Sequence, residues 1–269
     1  MISVAVITKN EERNIERCLR SVQWADEIIL VDDFSSDATV RLAEGLRAVV
    51  IQKKWMGYAK QKEFAVQQTK NDWVLSLDAD EEVTAELQKE IVDTLSLPCE
   101  FNGFNIPRKS YFLGKWIKHS GWYPGYQLRL FKKSKTRMNY RPVHEGFLTE
   151  GNVGTLQGGM NHYTYQSLSQ YIEKMNDYTS LDVTNKLSDG RTIHWYNFIF
   201  NPLSLFLRMF FSLRGYRDGF HGFLLAYYSS VSELVLLAKC WEYQTAVKQH
   251  SAIPPVSSNE INHLKQLSS

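Results

Sequence analysis

The sequence predicts an α/β protein built on a mostly parallel sheet that helices flank, followed by a C-terminal helical extension. Between Met1 and about Thr94, short β-branched runs alternate with segments of helical periodicity, a pattern typical of parallel βαβ units. Two of the runs, EIILV and WVLSL, are almost continuously apolar, as expected for strands covered on both faces. From Ser167 onward, long aromatic and apolar segments predict helices.

The elements of the first part follow one another in a regular order. ISVAVIT predicts the first strand, and Asn10 is a candidate cap for a helix whose apolar positions are Ile15, Leu19 and Val22. EIILVD predicts a second strand, SSDATVRLAEGL a capped helix and AVVIQ a third strand. GYAKQKEFAVQQT then predicts another helix, and DWVLSLD a fourth strand.

The pattern changes after about Leu97. Short strands, turns and aromatic residues follow, with glycine and proline at short intervals, which favours antiparallel additions or loops over further βαβ units. We therefore divide the chain into a sheet-based domain, residues 1–165, and a helical extension, residues 166–269.

Composition restricts the class of protein. The 269 residues include 31 basic and 29 acidic side chains, and the formal net charge of +2 argues against nucleic-acid binding through overall charge. The cysteines Cys18, Cys99 and Cys240 are widely spaced, so they predict neither a disulfide framework nor a clustered metal site and fit a reducing compartment. The N-terminal segment lacks a basic leader, and its apolar stretch from Ile2 to Ile7 is too short for a signal core, so it predicts a first strand.

Polar clusters follow three of the predicted strands. They are Thr8-Lys9-Asn10-Glu11, Asp32-Asp33 and Asp78-Ala79-Asp80-Glu81. Ligands of an open parallel sheet bind beyond the carboxyl ends of its strands, so this convergence indicates a ligand site. Two carboxylates in a D-x-D spacing suit Mg²⁺ or Mn²⁺ with a bound diphosphate. The alternative is a solvated strand end or a helix N-terminus, because Glu81 and Glu82 precede the helical segment AELQKEIVDTL.

Four motifs in order, ITKNEE, VDDFSSDAT, GYAKQKEFA and WVLSLDADEE, resemble the nucleotide-sugar-binding half of family 2 glycosyltransferases. The resemblance covers about Met1 to Glu82 tightly and continues more loosely to about Tyr165. Within the family, the chain looks most similar to small bacterial enzymes that build the inner core of lipopolysaccharide. The resemblance implies a GT-A fold, with nucleotide-sugar binding in residues 1–97 and acceptor binding and catalysis in residues 98–165. It also implies a UDP-sugar donor, a divalent cation (Mn²⁺ or Mg²⁺) and a lipid-linked saccharide acceptor.

The predicted donor site has eight side chains, of which the resemblance implies all but Arg129. They are Thr8, Asn10, Glu11, Asp32, Asp33, Lys62, Asp78 and Arg129. The first three would line the nucleoside pocket, Asp32 or Asp33 would contact uracil or ribose, and Lys62 would face the base or phosphate. The arginine could hold the diphosphate or a phosphorylated acceptor through its planar fork. The sequence departs from the family pattern next to Lys62, where Glu63 occupies a position at which related sequences more often carry Asn.

The implied metal ligands are Asp80, Asp78 and His162. Asp80 is the direct ligand of the D-x-D pair, and Asp78 would lie nearer the ribose or a metal-bound water. His162 follows the glycine pair of GGMNHYTY, where the family often completes its metal site with a histidine. The alternative for His162 is an ordinary packed or solvated histidine.

The acceptor side is predicted from two further segments. RPVHEGF places Glu145 where the family keeps its catalytic carboxylate, so we predict Glu145 as the base and His144 as the residue that orients it or the acceptor. A single displacement with inversion follows from this assignment. GWYPGYQLRLF offers Trp122 and Tyr123 as sugar-stacking rings for the acceptor. The alternatives are an ordinary surface carboxylate for Glu145 and core packing for the two rings.

Two C-terminal segments, NFIFNPLSLFLRMFFSLRGYRDG and FHGFLLAYYSSVSELVLLAKCWEY, are long and apolar but interrupted by charged residues or proline, so neither predicts a spanning helix. Leu203, Phe206 and Phe210 recur at helical spacing near Arg208 and Arg214. Such a helix can lie in a membrane interface, or it can pack on its own domain or on a second copy in a homo-oligomer. The implied lipid-linked acceptor favours peripheral contact with the cytoplasmic face of the inner membrane.

The resulting hypothesis is a metal-dependent inverting glycosyltransferase that moves a hexose, with glucose favoured, from a UDP-sugar to a lipopolysaccharide-core or related acceptor. A sugar-nucleotide pyrophosphorylase could share the sheet and the metal site, but it would be expected to carry a glycine-rich loop after the first strand, and ITKNEERN has no glycine. A third hypothesis is a non-catalytic carbohydrate- or membrane-binding protein that retains the fold. Such a protein would need neither Asp80 nor Glu145.

Overall fold

The computed structural model describes residues 1–98, 100–140, 146–188 and 192–249. The chain forms two compact units, each of which contains two stretches of sequence. Unit 1 consists of Met1–Ser110 and Tyr123–Thr164, and unit 2 of Tyr111–Trp122 and the chain from Tyr165 onward. The segment Tyr111–Trp122, which lies inside the sheet-based domain as defined from the sequence, therefore groups with the helical part of the chain.

Strands dominate unit 1, and helices dominate unit 2. In the described residues the strands are β1 (Ile2–Thr8), β2 (Glu27–Asp32), β3 (Val49–Gln52), β4 (Trp73–Asp78), β5 (Glu81–Val83), β6 (Gly103–Ile106), β7 (Arg108–Phe112), β8 (Lys115–Trp116), β9 (Gln127–Lys132), β10 (Thr136–Asn139), β11 (Gly146–Thr149), β12 (Val153–Thr155) and β13 (Met160–Tyr165). The helices are α1 (Ile15–Arg20), α2 (Thr39–Glu44), α3 (Tyr58–Gln67), α4 (Ala85–Leu95), α5 (Leu168–Leu187), α6 (Asn197–Leu207) and α7 (Phe220–Gln249).

The main sheet of unit 1 has the strand order β12-β6-β9-β4-β1-β2-β3 among the described residues. β1 pairs in parallel with β2 and with β4, and β2 pairs in parallel with β3. β9 runs antiparallel to both β4 and β6. In this register Thr8 lies opposite Asp32, and Ile7 lies opposite Asp78, so the carboxyl ends of three predicted strands meet at one edge. The four predicted strands and their parallel arrangement are confirmed.

The central strands are buried on both faces. Val4 and Val6 of β1 belong to one hydrophobic cluster, and Ala5 and Ile7 belong to another. Successive side chains of a strand point to opposite faces, so both clusters form only when each face of the sheet is covered. This arrangement explains why these strands are continuous apolar runs in the sequence rather than alternating ones.

The first helix begins later than the sequence predicts. α1 starts at Ile15, whereas Asn10 lies in the left-handed region with φ 52°. The Oδ1 atom of Asn10 accepts a hydrogen bond of 2.9 Å from the backbone N–H of Ser36. The prediction that Asn10 caps this helix is therefore wrong, because its side chain joins the loop after β1 to the loop after β2.

Smaller strand pairs complete both units. In unit 1, β5 pairs antiparallel with β13, and β10 pairs antiparallel with β11. In unit 2, β7 pairs with β8 through Tyr111–Trp116 and Phe112–Lys115. Phe112 also belongs to a buried cluster with Tyr171 of α5 and Leu225 of α7, which forms the core of unit 2.

One helix in the described part of the chain is long and apolar enough to cross a membrane by length and composition. It spans Phe220–Val247, and 28% of its most apolar window is buried inside the protein. The sequence predicts no spanning helix here because Glu233 interrupts the apolar segment. A core helix of a soluble protein meets the same criterion, so this helix is weak support for a membrane span.

Candidate active site

The apolar strand β4 ends at an acidic turn whose carboxylates have three different environments. Asp78 ends β4, Asp80 lies in the turn and Glu81 begins β5. The side chains of Asp78 and Asp80 are 27% and 16% exposed, whereas that of Glu81 is 0% exposed. Glu81 therefore belongs neither to a solvated strand end nor to a helix N-terminus, since α4 begins only at Ala85.

Asp78 is held by two cations. The Nη2 atom of Arg129, in β9, donates to Asp78 Oδ2 at 2.6 Å, and Lys62 Nζ lies 2.6 Å from Asp78 Oδ1. Burial of the Asp78 carboxyl opposes its ionisation, but the charges of Arg129 and Lys62 outweigh burial and hold its pKa far below the ordinary aspartate value. Asp78 is thus an anion with each oxygen already in contact with a positive charge.

Arg129 joins Asp78 to Glu81. The same Nη2 atom donates to Glu81 Oε1 at 2.7 Å, and the residue is only 5% exposed. Burial works against the charged guanidinium, but Asp78 and Glu81 outweigh it, so the pKa of Arg129 lies above its ordinary value. A second arginine, Arg108, lies further from Glu81, with 3.8 Å between Nη1 and Oε1.

Asp80 lies beside His162. β13 runs antiparallel to β5 with His162 opposite Glu81, and His162 Nε2 lies 3.3 Å from Asp80 Oδ2. The other ring nitrogen, Nδ1, lies 3.4 Å from Ser110 Oγ. Asp80 and His162 are 82 residues apart in the sequence. The pairing of His162 with Glu81, the residue after Asp80, brings them together.

The donor atoms of Asp80 and His162 fit a divalent cation. Neighbouring ligand atoms around one small cation lie about 3 Å apart when each metal–ligand bond is about 2.1 Å long. His162 Nε2 and Asp80 Oδ2 are 3.3 Å apart. In the described part of the chain, no group of three or more His, Cys, Asp or Glu side chains is arranged around a common metal position. The structure thus brings together two of the three predicted ligands, while Asp78 contacts Arg129 and Lys62 instead.

A comparison with protein families identifies the family to which the chain belongs. The sequence model described as "Glycosyl transferase family 2" matches residues 3–164, which include every residue of the acidic turn and of its partners. The chain belongs to glycosyltransferase family 2. The predicted α/β GT-A fold with a C-terminal helical part is confirmed by this match together with the mixed sheet and the helices α5–α7.

Two relatives of this glycosyltransferase match it along almost their whole length. "Lipopolysaccharide core biosynthesis glycosyltransferase LpsC" of Rhizobium meliloti (strain 1021) is 30% identical over 248 residues, covering 90% of this chain and 92% of the relative. "Uncharacterized glycosyltransferase RT0209" of Rickettsia typhi (strain ATCC VR-144 / Wilmington) is 33% identical over 289 residues, covering 100% of this chain and 94% of the relative. These matches favour a transferase over the pyrophosphorylase alternative.

A solved structure also resembles the glycosyltransferase. S. aureus TarS 1-349 in complex with UDP is similar over 91% of each chain, with 15% sequence identity and a TM-score of 0.46.

The remaining predicted donor residues of the glycosyltransferase lie at the ends of β1 and β2. Asp33 accepts hydrogen bonds from Lys9 Nζ at 2.8 Å and from the backbone N–H of Trp55 at 2.9 Å. Asp32 accepts from the backbone N–H of Ser35 at 2.9 Å. These two aspartates therefore order the loops at the carboxyl edge of the sheet, and their contact with a nucleoside stays a prediction.

The three residues predicted to line the nucleoside pocket lie at the end of β1 and in the loop after it. Thr8 is buried, and its hydroxyl has no hydrogen-bond partner among the described residues. Asn10 is exposed, and Glu11 accepts a hydrogen bond of 2.7 Å from Asn14 Nδ2. Glu63, the departure from the family pattern, accepts a hydrogen bond from the Tyr140 hydroxyl.

The predicted acceptor residues of the glycosyltransferase fall in different parts of the chain. Trp122 belongs to unit 2, where its ring packs edge-on against Phe112 with 6.1 Å between ring centroids, as the core alternative predicts. Tyr123 belongs to unit 1 and is half-buried. The predicted base Glu145 and its neighbour His144 lie outside the described residues.

Sequence reasoning missed Glu81 and Arg108 as parts of this site. The signal that could have found Glu81 is Arg129 itself, a single basic residue inside the apolar run LRLF of β9. A charged residue inside a buried strand needs a partner of opposite charge. The acidic turn DADEE is the obvious source of that partner.

Proposed function

We propose that this glycosyltransferase transfers a hexose, with glucose favoured, from a UDP-sugar to a lipopolysaccharide-core or related lipid-linked saccharide. The observation that carries the proposal is the pairing of Asp80 with His162 at the carboxyl edge of the parallel sheet, beside an Asp78 that Arg129 and Lys62 hold. The acceptor class rests on the relative LpsC, whose name places that protein in lipopolysaccharide core biosynthesis. The donor class rests on the resemblance of the four sequence motifs to the family.

The proposed reaction is a single displacement with inversion. The acceptor hydroxyl oxygen forms a bond to the anomeric carbon, the bond from that carbon to the diphosphate oxygen breaks, and Glu145 takes the hydroxyl proton. A divalent cation, Mn²⁺ or Mg²⁺, held by Asp80 and His162 would neutralise the charge that develops on the diphosphate.

Positive side chains would support the same diphosphate. Lys62 contacts Asp78 and is 17% exposed, so its ammonium group lies at the open side of the network. Arg129 is almost fully buried and already donates to two carboxylates, so its contribution to donor binding would come through Asp78. Direct contact between Arg129 and the diphosphate stays a prediction.

Nucleotide binding tests the donor class. We expect calorimetry of the intact chain with Mn²⁺ to show binding of UDP and much weaker binding of GDP. Omitting Mn²⁺ should weaken UDP binding at least tenfold, or by about 1.4 kcal/mol, because the cation offsets repulsion between the diphosphate and the carboxylates. Absence of nucleotide binding under both conditions would contradict the proposed transferase reaction and favour the non-catalytic alternative.

The proposed acceptor is lipid-linked, and α6 offers a surface that suits a membrane interface. None of the residues of α6 is buried, although most are apolar. In α6, Phe200 and Leu203 are exposed by 62% and 51%, and in the π-helical turn Arg208–Ser212 that follows, Phe211 is exposed by 56%. No acidic residue occurs between Trp195 and Arg217, whereas this segment carries three arginines.

Charge and length together favour contact with the surface of an anionic bilayer. Exposed arginines beside an apolar face are attracted by anionic headgroups, while the apolar side chains enter the acyl boundary. α6 has 11 residues, and at ~1.5 Å per residue it is far shorter than the ~30 Å hydrocarbon core. We therefore propose peripheral contact through α6 rather than a span by this helix.

Vesicle sedimentation tests the membrane contact. We expect the full chain to bind vesicles of phosphatidylcholine with phosphatidylglycerol more tightly than vesicles of phosphatidylcholine alone. The double substitution Phe200→Ser and Leu203→Ser should weaken binding at least tenfold, since each buried apolar side chain contributes roughly 1.5–3 kcal/mol. The control is Leu148→Ser, which changes a similarly exposed leucine on β11 in unit 1. Unchanged vesicle binding with a lost dimer in the double variant would instead assign this face to a second copy.

A further inference from the structure

Glu81 is a charged side chain with no exposure to solvent. A carboxylate that is fully withdrawn from water is costly unless it is paired and hydrogen-bonded. Both of its oxygens are used: Oε1 accepts from Arg129 Nη2 at 2.7 Å, and Oε2 accepts from the backbone N–H of Asp78 at 2.9 Å. Full burial also excludes direct contact with a substrate. We propose that Glu81 is a positioning residue, which fixes the geometry of Asp78 and Asp80 for the donor and its cation; this inference rests on the proposed function.

The first contact fixes the turn. Glu81 lies three residues after Asp78, so the bond from its side chain to the Asp78 N–H closes a loop around Ala79 and Asp80. Asp80 is therefore held in a turn whose two ends are joined to each other. Loss of this bond would leave the Asp78 N–H without its acceptor and would allow the turn to move.

The second contact fixes the arginine. One nitrogen of Arg129 donates to both Asp78 and Glu81, so the guanidinium is placed between the two carboxylates. Without the charge of Glu81, Arg129 would keep its hydrogen bond to Asp78 but lose its bond to a second carboxylate. The position of Asp78 depends on Glu81 through this shared donor.

The backbone of Glu81 also helps to position His162, the second residue proposed to hold the cation. Glu81 pairs with His162 across β5 and β13, and His162 contacts Asp80. Glu81 thus links the strand that carries His162 with the turn that carries Asp80. A displacement of Glu81 would change the separation of the two donor atoms proposed for the cation.

The substitution Glu81→Gln removes the charge and one acceptor while keeping the size of the side chain. Its matched control is Glu82→Gln, which removes the next acidic residue in the chain. Glu82 accepts hydrogen bonds from Asn161 Nδ2 at 2.9 Å and from the Tyr163 hydroxyl at 2.7 Å, and it has no bond to Arg129. The two variants therefore have the same net charge, but only Glu81→Gln alters the contacts with Arg129 and with the backbone N–H of Asp78.

The measurement is Mn²⁺ affinity from the electron paramagnetic resonance signal of free Mn²⁺, with UDP present, on full-length protein. We expect Glu81→Gln to weaken Mn²⁺ binding at least tenfold and Glu82→Gln to change it less than threefold, with circular dichroism unchanged in both. Equal Mn²⁺ affinities in wild type and Glu81→Gln, or equal losses of Mn²⁺ affinity in both variants, would overturn the positioning role of Glu81. The proposed function would stand in both cases. Absence of Mn²⁺ binding by the wild type would overturn the proposed function and this inference with it.

A second variant addresses failure to fold. The double substitution Glu81→Leu and Arg129→Met replaces the buried ion pair with apolar groups, an exchange that folded proteins often tolerate. If Glu81→Gln is unfolded, the folded double variant is measured in the same way. We expect at least tenfold weaker Mn²⁺ binding, and wild-type affinity in this variant would overturn the proposal.

Discussion

Replacing Asp80 with alanine is expected to abolish metal-dependent donor binding. Asp80 is the carboxylate that pairs with His162, and both oxygens of Asp78 are occupied by Lys62 and Arg129. No carboxylate in the described part of the turn would then take its place, since Glu81 is fully buried. The loss of several kcal/mol of charge stabilisation corresponds to a rate of transfer lower by about 10²–10³-fold.

Calorimetry of UDP with and without Mn²⁺ checks this expectation. In the Asp80→Ala protein, the affinity with Mn²⁺ should fall to the affinity measured without it. The control is Asp93→Ala, which removes an exposed carboxylate of α4 that pairs with Lys89. If Asp80→Ala retained the full effect of Mn²⁺ on UDP binding, Asp80 would not be the metal ligand.

Replacing Glu145 with glutamine is expected to remove turnover and leave donor binding near normal. Proton transfer by a positioned base contributes about 10²–10⁴-fold to the rate, and glutamine cannot accept the proton. UDP affinity in the presence of Mn²⁺ should remain within about twofold, since the donor site and the base are separate groups in the proposed reaction.

Measurement of kcat and of UDP affinity on the same preparation separates the two effects. The control is Glu150→Gln, a nearby acidic residue in the same part of the chain. Normal turnover in Glu145→Gln would show that the base assignment is wrong. Lost turnover together with lost UDP binding would assign Glu145 to the donor site instead.

Much of the fold was predictable because its signals are local. The strands β1, β2 and β4 are apolar runs that end in polar residues, and their burial on both faces follows from the parallel arrangement. The D-x-D pair could be placed at the edge of the sheet because it directly follows the apolar run of β4. Family membership followed from four motifs whose order is readable without a structure.

The parts that could not be predicted depend on contacts between distant segments. Arg129 and Glu81 are 48 residues apart, and they meet because β9 inserts antiparallel beside β4. Periodicity identifies a strand but does not specify its neighbour, so the sequence does not predict the contacts of Arg129 with Asp78 and Glu81. The contact of Asn10 is also non-local, since its Oδ1 atom accepts a hydrogen bond from Ser36 in the loop after β2, and the sequence therefore wrongly predicts a helix cap.

Membrane contact through the exposed apolar face of α6, as proposed above, would change how acceptor concentration controls the rate of this glycosyltransferase. A protein bound to a bilayer meets lipid-linked acceptors by diffusion in two dimensions. Once the protein is on the membrane, its binding to an acceptor in the same membrane resembles an intramolecular step. Its rate then follows the number of acceptors per unit of membrane area rather than the number per litre. A short saccharide released from its lipid would present the same hydroxyl but would lose this confinement, so lipid attachment would act as part of substrate recognition without any contact to the sugar.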